Sequence, residues 1–373
     1  VSVPDTGSPK NAIARLNDFG QAPWYDNVTR ALVRDGGLAK LVTDDDIRGV
    51  TSNPTIFEKA MGSGEGYDEQ LKSLAISGTS IEDTYWKLVT DDIATGADVL
   101  RPVYDRLDGS DGFISIEVAP TLAHDADATI AQVRELQDQL GRPNVMVKIP
   151  ATVEGVDAIR TAISEGRNIN VTLIFALGRY GDVIEAYISG LEAFAARGGD
   201  LSTVNSVASF FVSRVDTEAD RRLPEHSPLR GKVAVANAKL AYQLFEERFS
   251  GDRWDALAAK GAKVQRPLWA STSTKNAAYS DTLYVDELVG PHTVNTLAQN
   301  SVDALLDHGD PTGDTVTQGV ADALAVIEGL DGEGVDYDDL VATIEREGVD
   351  SFARSYQDCM DTLAKRAREL LAQ

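Results

Sequence analysis

Cysteine occurs once in the 373 residues, at Cys359, so no intrachain disulfide can form and stability has to come from a packed core. Histidine occurs four times, at His124, His226, His292 and His308. None has an ExxH or HxxxH spacing, and with a single thiol the chain offers no zinc-binding set; all four read as ordinary surface or loop histidines. No apolar run approaches the roughly 20 residues that a membrane-spanning helix needs. The first residues are polar and include Pro4, Gly7 and Pro9, unlike the apolar core of a signal peptide. No Gly-x-Gly-x-x-Gly follows a strand-like segment, which argues against a dinucleotide-binding fold. Basic residues are also scarce: 35 Lys and Arg stand against 59 Asp and Glu, for a net charge of -24. A field of that sign repels nucleic acid and anionic membranes, and a phosphorylated ligand would need a locally basic pocket. The expectation is a metal-independent protein of the cytoplasm, with neither nucleic acid nor membrane as partner.

What is present is ample core material, 43% hydrophobic residues, arranged with a regular punctuation. Residues 1–22 read as an N-terminal arm with a short helix around Ala12 to Phe19. Strand-like runs follow at Trp24-Tyr25-Asp26, Ile47 to Pro54, Phe113 to Val118, Asn144 to Ile149, Ile169 to Ile174, Val204 to Val212, Val264 to Ser271 and, more weakly, Leu283 to Leu288. Helical patterns lie between most of them, over 28–41, 67–107, 125–140, 155–165, 179–196 and 231–249. Alternating strand and helix predicts parallel strands. Runs such as Val145-Met146-Val147 are apolar on both faces, as a sheet covered on both sides requires. About eight such units predict an α/β fold of the closed (β/α)₈ barrel kind, with extra N-terminal and C-terminal helices. The expected organisation is one domain over 1–373 with a helical C-terminal extension from about 293.

Charged and polar residues at strand ends carry the chemistry. Lys148 sits near the end of the strong strand Val145-Met146-Val147-Lys148-Ile149, where it should be buried, and a buried amine either pairs or gives up its proton. It is either a core ion pair or a nucleophile towards a carbonyl. Glu117 ends Phe113-Ile114-Ser115-Ile116-Glu117 and is either the partner of that lysine or a general acid–base. Asp26, after an aromatic pair, reads locally as a helix N-cap, with proton abstraction from a sugar hydroxyl as its alternative. Thr51 with Asn53, and Asn170 with Thr172, are i, i+2 pairs that point to one face of their strands. Converging at one barrel end, they would suit a polyhydroxylated ligand. Arg214, and Lys275 within Ser271-Thr272-Ser273-Thr274-Lys275, are candidate phosphate ligands, with Ser209 adding a hydroxyl. Trp24 and Trp269 either border the pocket or simply pack.

These segments resemble the transaldolase family. Gly49-Val50-Thr51-Ser52-Asn53-Pro54-Thr55-Ile56-Phe57 is similar to its second-strand signature, and Val147-Lys148-Ile149-Pro150-Ala151-Thr152 to its Schiff-base lysine segment. Ile169-Asn170-Val171-Thr172-Leu173-Ile174-Phe175 resembles its fifth strand, and Leu268 to Asn276 the phosphate loop of the longer bacterial members. The resemblance runs over roughly residues 20 to 300. It implies an imine on Lys148, acid–base work through a water by Glu117, a water-positioning Thr172, and deprotonation of the C4 hydroxyl by Asp26. It implies hydroxyl contacts from Thr51, Asn53 and Asn170, and phosphate contacts from Ser209, Arg214 and Lys275. Where Lys275 stands, many shorter members carry arginine; lysine keeps the charge and loses the bidentate fork. The implied reaction moves a dihydroxyacetone unit from sedoheptulose 7-phosphate to glyceraldehyde 3-phosphate, giving erythrose 4-phosphate and fructose 6-phosphate, within the non-oxidative pentose phosphate pathway. No cofactor is implied; the partners are phosphorylated ketoses and aldoses, and the assembly is a monomer or homodimer. Two rivals differ in testable ways. A fructose 6-phosphate aldolase would release free dihydroxyacetone, and those enzymes are shorter than this chain. A non-catalytic sugar-phosphate-binding barrel would form no imine.

Overall fold

A computed structural model describes residues 10–64 and 66–372; residues 1–9 of the expected N-terminal arm lie outside them. Eight strands close into a barrel in chain order. They are β1 (Gln21–Tyr25), β2 (Gly49–Val50), β3 (Phe113–Glu117), β4 (Val145–Pro150), β5 (Ile169–Ile174), β6 (Ser206–Phe211), β7 (Arg266–Ala270) and β8 (Thr293–Leu297). Every neighbouring pair is parallel, and β1 meets β8 to complete the ring. Helices return the chain between strands, and further helices stand at both ends, so the fold is a (β/α)₈ barrel with terminal extensions.

The sequence explains many element boundaries. Asn53 caps the helix Pro54–Gly62 by accepting from Ile56 N at 3.0 Å, and Pro54 occupies the first helical position, where a missing N–H costs nothing. Thr152 caps Val153–Ser164 in the same way. Asp125 opens Ala126–Leu140, which ends at Gly141 with φ +57°, a conformation glycine adopts without a Cβ clash.

One expectation is overturned. Leu283–Glu287, read as a weak strand, is a short helix with Tyr284 and Val285 buried, and the eighth strand is Thr293–Leu297 instead. The alternation Leu-Tyr-Val-Asp-Glu-Leu also satisfies helical spacing, because Tyr284 and Leu288 fall four residues apart and are both buried. The true strand, Thr-Val-Asn-Thr-Leu, is buried throughout, yet three of its five residues are polar and fall on both faces, so it lacks the apolar signature. The segment from Thr293 therefore begins with barrel strand, and helix resumes at Gln299.

The lower barrel is filled by one large side chain over one absent one. Trp24 is fully buried, in register with Gly49 on β2, and a Cβ on Gly49 would lie 2.4 Å from the indole ring carbons. The indole N–H donates to Asp111 at 2.9 Å, and Arg266 pairs with the other oxygen of that carboxylate at 2.9 Å. Trp269 is likewise fully buried and donates to Leu288 O at 2.9 Å. Both tryptophans are therefore packing residues of the barrel wall.

The long helix Tyr337–Leu371 crosses the opposite end of the barrel. At its start Arg222 pairs with Asp339 at 2.6 Å; further on Thr55 and Ser355 share a hydrogen bond of 2.8 Å, and Arg366 donates to Asp68 at 2.9 Å. Gly348 allows the close approach, since a Cβ there would stand 3.2 Å from both Leu173 Cδ2 and Arg214 Nη1.

Gly49→Ala is expected to destabilise the fold by about 1–3 kcal/mol through forced displacement of Trp24. Urea unfolding followed by tryptophan fluorescence checks this, and an unchanged midpoint would show that the ring has room to move.

Candidate active site

At the strand ends beneath the long helix lies a cavity of about 910 Å³. Parallel register builds its floor: Glu117 on β3 lies beside Lys148 on β4, which lies beside Asn170 on β5. Lys148 is 4% exposed and Glu117 7%. The ammonium stands 3.5 Å from Glu117 Oε2 and donates to Ser52 O at 3.1 Å. Ser52 is held in turn by donating its hydroxyl to Ser115 O at 2.7 Å. Loss of water pushes the Glu117 carboxyl up to about 7, against the opposing pull of the adjacent ammonium. Near neutral pH this side chain can therefore give or take a proton.

Asp26 follows β1 and faces the same cavity. The nearby helix Arg30–Arg34 is capped by Thr29, so the N-cap reading of Asp26 does not hold. Its carboxylate accepts instead from Thr51 at 2.7 Å, and Thr51 Oγ1 is 2.6 Å from Thr296 Oγ1. Since Thr51 has one proton and spends it on Asp26, Thr296 is the donor in the second contact. Burial raises the Asp26 carboxyl, while the Thr51 hydrogen bond and the charges of Lys148 and Lys275 hold it down.

Thr172 is fully buried, lines the cavity, and its hydroxyl has no hydrogen-bond partner among the described residues; Glu117 Oε2 is likewise without one. Buried orphan oxygens of this kind commonly hold a water. Leu173, the next residue, has φ +58°, and the β5–β6 pairing shifts register between Val171 and Ile174. This bulge interrupts the regular ladder beside Thr172.

Among the ten residues singled out from sequence, eight line the cavity: Asp26, Thr51, Asn53, Lys148, Thr172, Ser209, Arg214 and Lys275. Glu117 reaches the site through Lys148. Asn170 lies beneath it, donating to Ser115 Oγ at 3.0 Å and accepting from Ser209 at 2.7 Å. The oxygen of Asn53 is committed to its helix cap, leaving its amide N–H groups for the cavity.

Arg214 enters from the first turn of the helix Ser213–Arg222 that follows β6, and Lys275 from the loop after β7. Neither forms an ion pair among the described residues. The Arg214 guanidinium is stacked between Phe211 and Phe352, 5.5 and 5.9 Å from the ring centres. Burial and then repulsion from Arg214 lower the Lys275 ammonium below its usual range. The two cations repel each other and give this part of the cavity a local excess of positive charge. Ser213 and Ser271, joined at 2.8 Å, add hydroxyls beside them.

Sequence reasoning missed Thr296, because β8 was sought at Leu283 to Leu288. It also missed the wall contributed by the C-terminal helix, where Ile344, Glu347, Ser351, Phe352 and Arg354 border the cavity. No local pattern could reveal the latter. None of the four histidines lines the cavity, and no group of three or more metal-ligating side chains occurs among the described residues.

The chain is also similar in sequence to known proteins. Residues 23–363 match the model of the family described as Transaldolase/Fructose-6-phosphate aldolase. The chain is 51% identical to a protein named Transaldolase from Thermobifida fusca over 364 residues, 96% of this chain and 98% of that protein. It is 49% identical to Transaldolase 1 of Streptomyces avermitilis, covering 95% and 96% of the two chains. It is 50% identical to the Transaldolase of Saccharopolyspora erythraea, covering 93% and 95%. With a barrel closed around a buried lysine and a match that spans nearly the whole sequence, the chain belongs to the transaldolase/fructose-6-phosphate aldolase family.

Proposed function

We propose that this chain is a transaldolase that carries a dihydroxyacetone unit from sedoheptulose 7-phosphate to glyceraldehyde 3-phosphate as an adduct of Lys148. The observation that carries the reading is the Lys148 ammonium held between Glu117 and Ser52 O on the floor of a cavity whose rim bears two unpaired cations. Glu117, through a water shared with Thr172, takes a proton from the amine. Nζ then bonds to the ketose C2, and the former carbonyl oxygen, protonated, leaves as water. The resulting iminium withdraws electrons. Asp26 takes the C4 hydroxyl proton, the C3–C4 bond breaks, its electron pair passes towards the iminium, and erythrose 4-phosphate departs. The enamine left on Lys148 adds to the aldehyde of glyceraldehyde 3-phosphate, and hydrolysis releases fructose 6-phosphate. Thr51 orients Asp26, Asn53 and Asn170 support hydroxyl binding, and Ser209, Arg214 and Lys275 take the phosphate. We further propose that the chain works as one domain over 1–373, as a monomer or homodimer, in the cytoplasm.

Fructose 6-phosphate and erythrose 4-phosphate should yield sedoheptulose 7-phosphate and glyceraldehyde 3-phosphate by mass spectrometry. The products should vanish in Lys148→Ala, and borohydride with the ketose should add a covalent mass to the wild type only. Free dihydroxyacetone released without acceptor would shift the reading to an aldolase, and a folded protein that forms no imine would leave only binding.

Two further outcomes are expected. With Glu117 titrating at about 7, lowering the pH through that value protonates the base, so kcat/KM should fall on the acid side. Glu117→Gln should lose that limb and about a hundredfold in kcat; retention of the limb would assign it to another group. Arg214→Ala should raise the KM for phosphorylated substrates by about 10–100-fold, the worth of a charge-assisted contact. An unchanged KM would remove Arg214 from the phosphate site.

A further inference from the structure

Lys275 borders two cavities at once. Besides the one above Lys148, it lines a second of about 460 Å³ that shares Thr217 with the first. Its side chain is exposed and makes no hydrogen bond or ion pair among the described residues. Residues 275 to 278 are all exposed, so packing does not hold this stretch in place. A lysine presents a point charge with no fork to align it. What Lys275 offers a phosphate therefore depends on where its backbone is held.

That backbone is tied on both sides. Ahead of Lys275, Thr272 donates to Asn295 at 2.8 Å and Ser273 to Asn300 at 2.9 Å, which fastens the loop to β8 and to the helix after it. Beyond Lys275, the chain is tied to the helix that carries Arg214. Tyr279 donates to Asp220 Oδ2 at 2.6 Å, and Tyr284 donates to Asp216 Oδ2 at 2.8 Å. Asp216 and Asp220 lie one turn apart on Ser213–Arg222 and so share a face. Their other oxygens accept from backbone: Asp216 Oδ1 from Ala234 N at 2.8 Å, and Asp220 Oδ1 from Gly231 N at 3.0 Å. With both oxygens engaged, each carboxylate is fixed in direction, and neither forms an ion pair with Lys275. Asp216 and Tyr284 are buried, which shields their charge-assisted bond from competing water. Arg214 and Lys275 stand close enough to repel, and that gap would widen if nothing joined their two segments.

We propose that Asp220 with Tyr279, and Asp216 with Tyr284, are positioning pairs that hold Lys275 beside Arg214, and so set how strongly the cavity prefers a phosphorylated sugar to an uncharged one. This rests on the reading of Arg214 and Lys275 as phosphate ligands. The pairs touch no substrate; they act through Lys275 alone. Removing a tyrosine hydroxyl leaves every charge in place and loosens only the loop.

The test is calorimetric titration of the whole chain with glucitol 6-phosphate, which has no carbonyl and forms no imine, and with glucitol. Tyr279→Phe and Tyr284→Phe are each made alone and again with Lys275→Ala. Each tyrosine variant should weaken glucitol 6-phosphate by about fivefold, the scale of one charge-assisted contact. Combined with Lys275→Ala, the same substitution should change affinity by less than about twofold, because the group it positions is gone. Tyr279 is only half-buried, so Tyr279→Phe decides the matter if Tyr284→Phe does not fold. Unchanged affinity in Tyr279→Phe, or equal weakening with and without Lys275, would overturn the positioning role. Lys275→Ala that binds glucitol 6-phosphate as the wild type does would instead remove the lysine from the phosphate site, and the pairs would then have nothing to position. A wild type that binds glucitol no more weakly than glucitol 6-phosphate would refute the phosphate site as a whole.

Discussion

An ammonium group held inside a barrel mouth is the constraint around which the site is arranged. Lys148 is flanked on its strand by Val147 and Ile149, both fully buried, which fix the backbone and leave the side chain only the floor of the cavity to occupy. A charge in that position is tolerated only with partners, and it has two, the Glu117 carboxylate and the Ser52 carbonyl. The partners come from the neighbouring strand and from the turn after β2, so parallel register and barrel closure are conditions for burying the amine at all. The same burial lifts Glu117 into the neutral range. One arrangement thus makes the lysine bearable in the fold and supplies the proton carrier that the proposed reaction needs.

The cavity is electrostatically opposite to the protein that contains it. Most arginines of the chain are committed to carboxylates, as Arg253 is to both Glu185 and Glu192. The cations at the cavity rim are not. Arg214 gains its position from two aromatic faces and from the missing side chain at Gly348, and neither restraint neutralises it. A cation positioned by packing keeps its field for a ligand, whereas one positioned by a salt bridge has already used it. This resolves the apparent conflict between a net charge of -24 and phosphorylated substrates.

The parts of this arrangement that sequence made legible are those whose signal is local. Lys148 and Glu117 are single charges at the ends of apolar strands, which burial alone makes conspicuous. Arg214 and Lys275 follow strands directly, and their roles could be drawn from position. Asp26 misled because an aspartate after an aromatic pair looks like a cap, while the cap of the following helix is Thr29. Asn53, expected to contact ligand hydroxyls, spends its amide oxygen on capping a helix, which the Asn-Pro pair alone did not distinguish. Thr296 was hidden because β8 is rich in polar residues and its place was given to a helix with ambiguous spacing. The C-terminal wall was illegible for a different reason: its contacts join residues about three hundred positions apart, such as Thr55 and Ser355, and no periodicity encodes such a pairing.

That wall bears on the choice between transfer and release. In the proposed reaction an enamine on Lys148 waits for a second aldose and is lost if water reaches it first, so transfer requires restricted access that still admits a phosphorylated sugar. The C-terminal helix meets both demands. Ile344 and Phe352 present apolar surface to the cavity, and Phe352 also packs on Arg214. The ion pair of Arg222 with Asp339 and that of Arg366 with Asp68 tie the helix down on both sides of the mouth. Because the ties lie outside the cavity, the helix narrows the opening without filling the space above Lys148, and the only charged groups it brings to the rim, Glu347 and Arg354, stand where an anionic substrate must pass. The extension beyond the barrel is therefore a wall of the cavity and not an appendage to a finished fold.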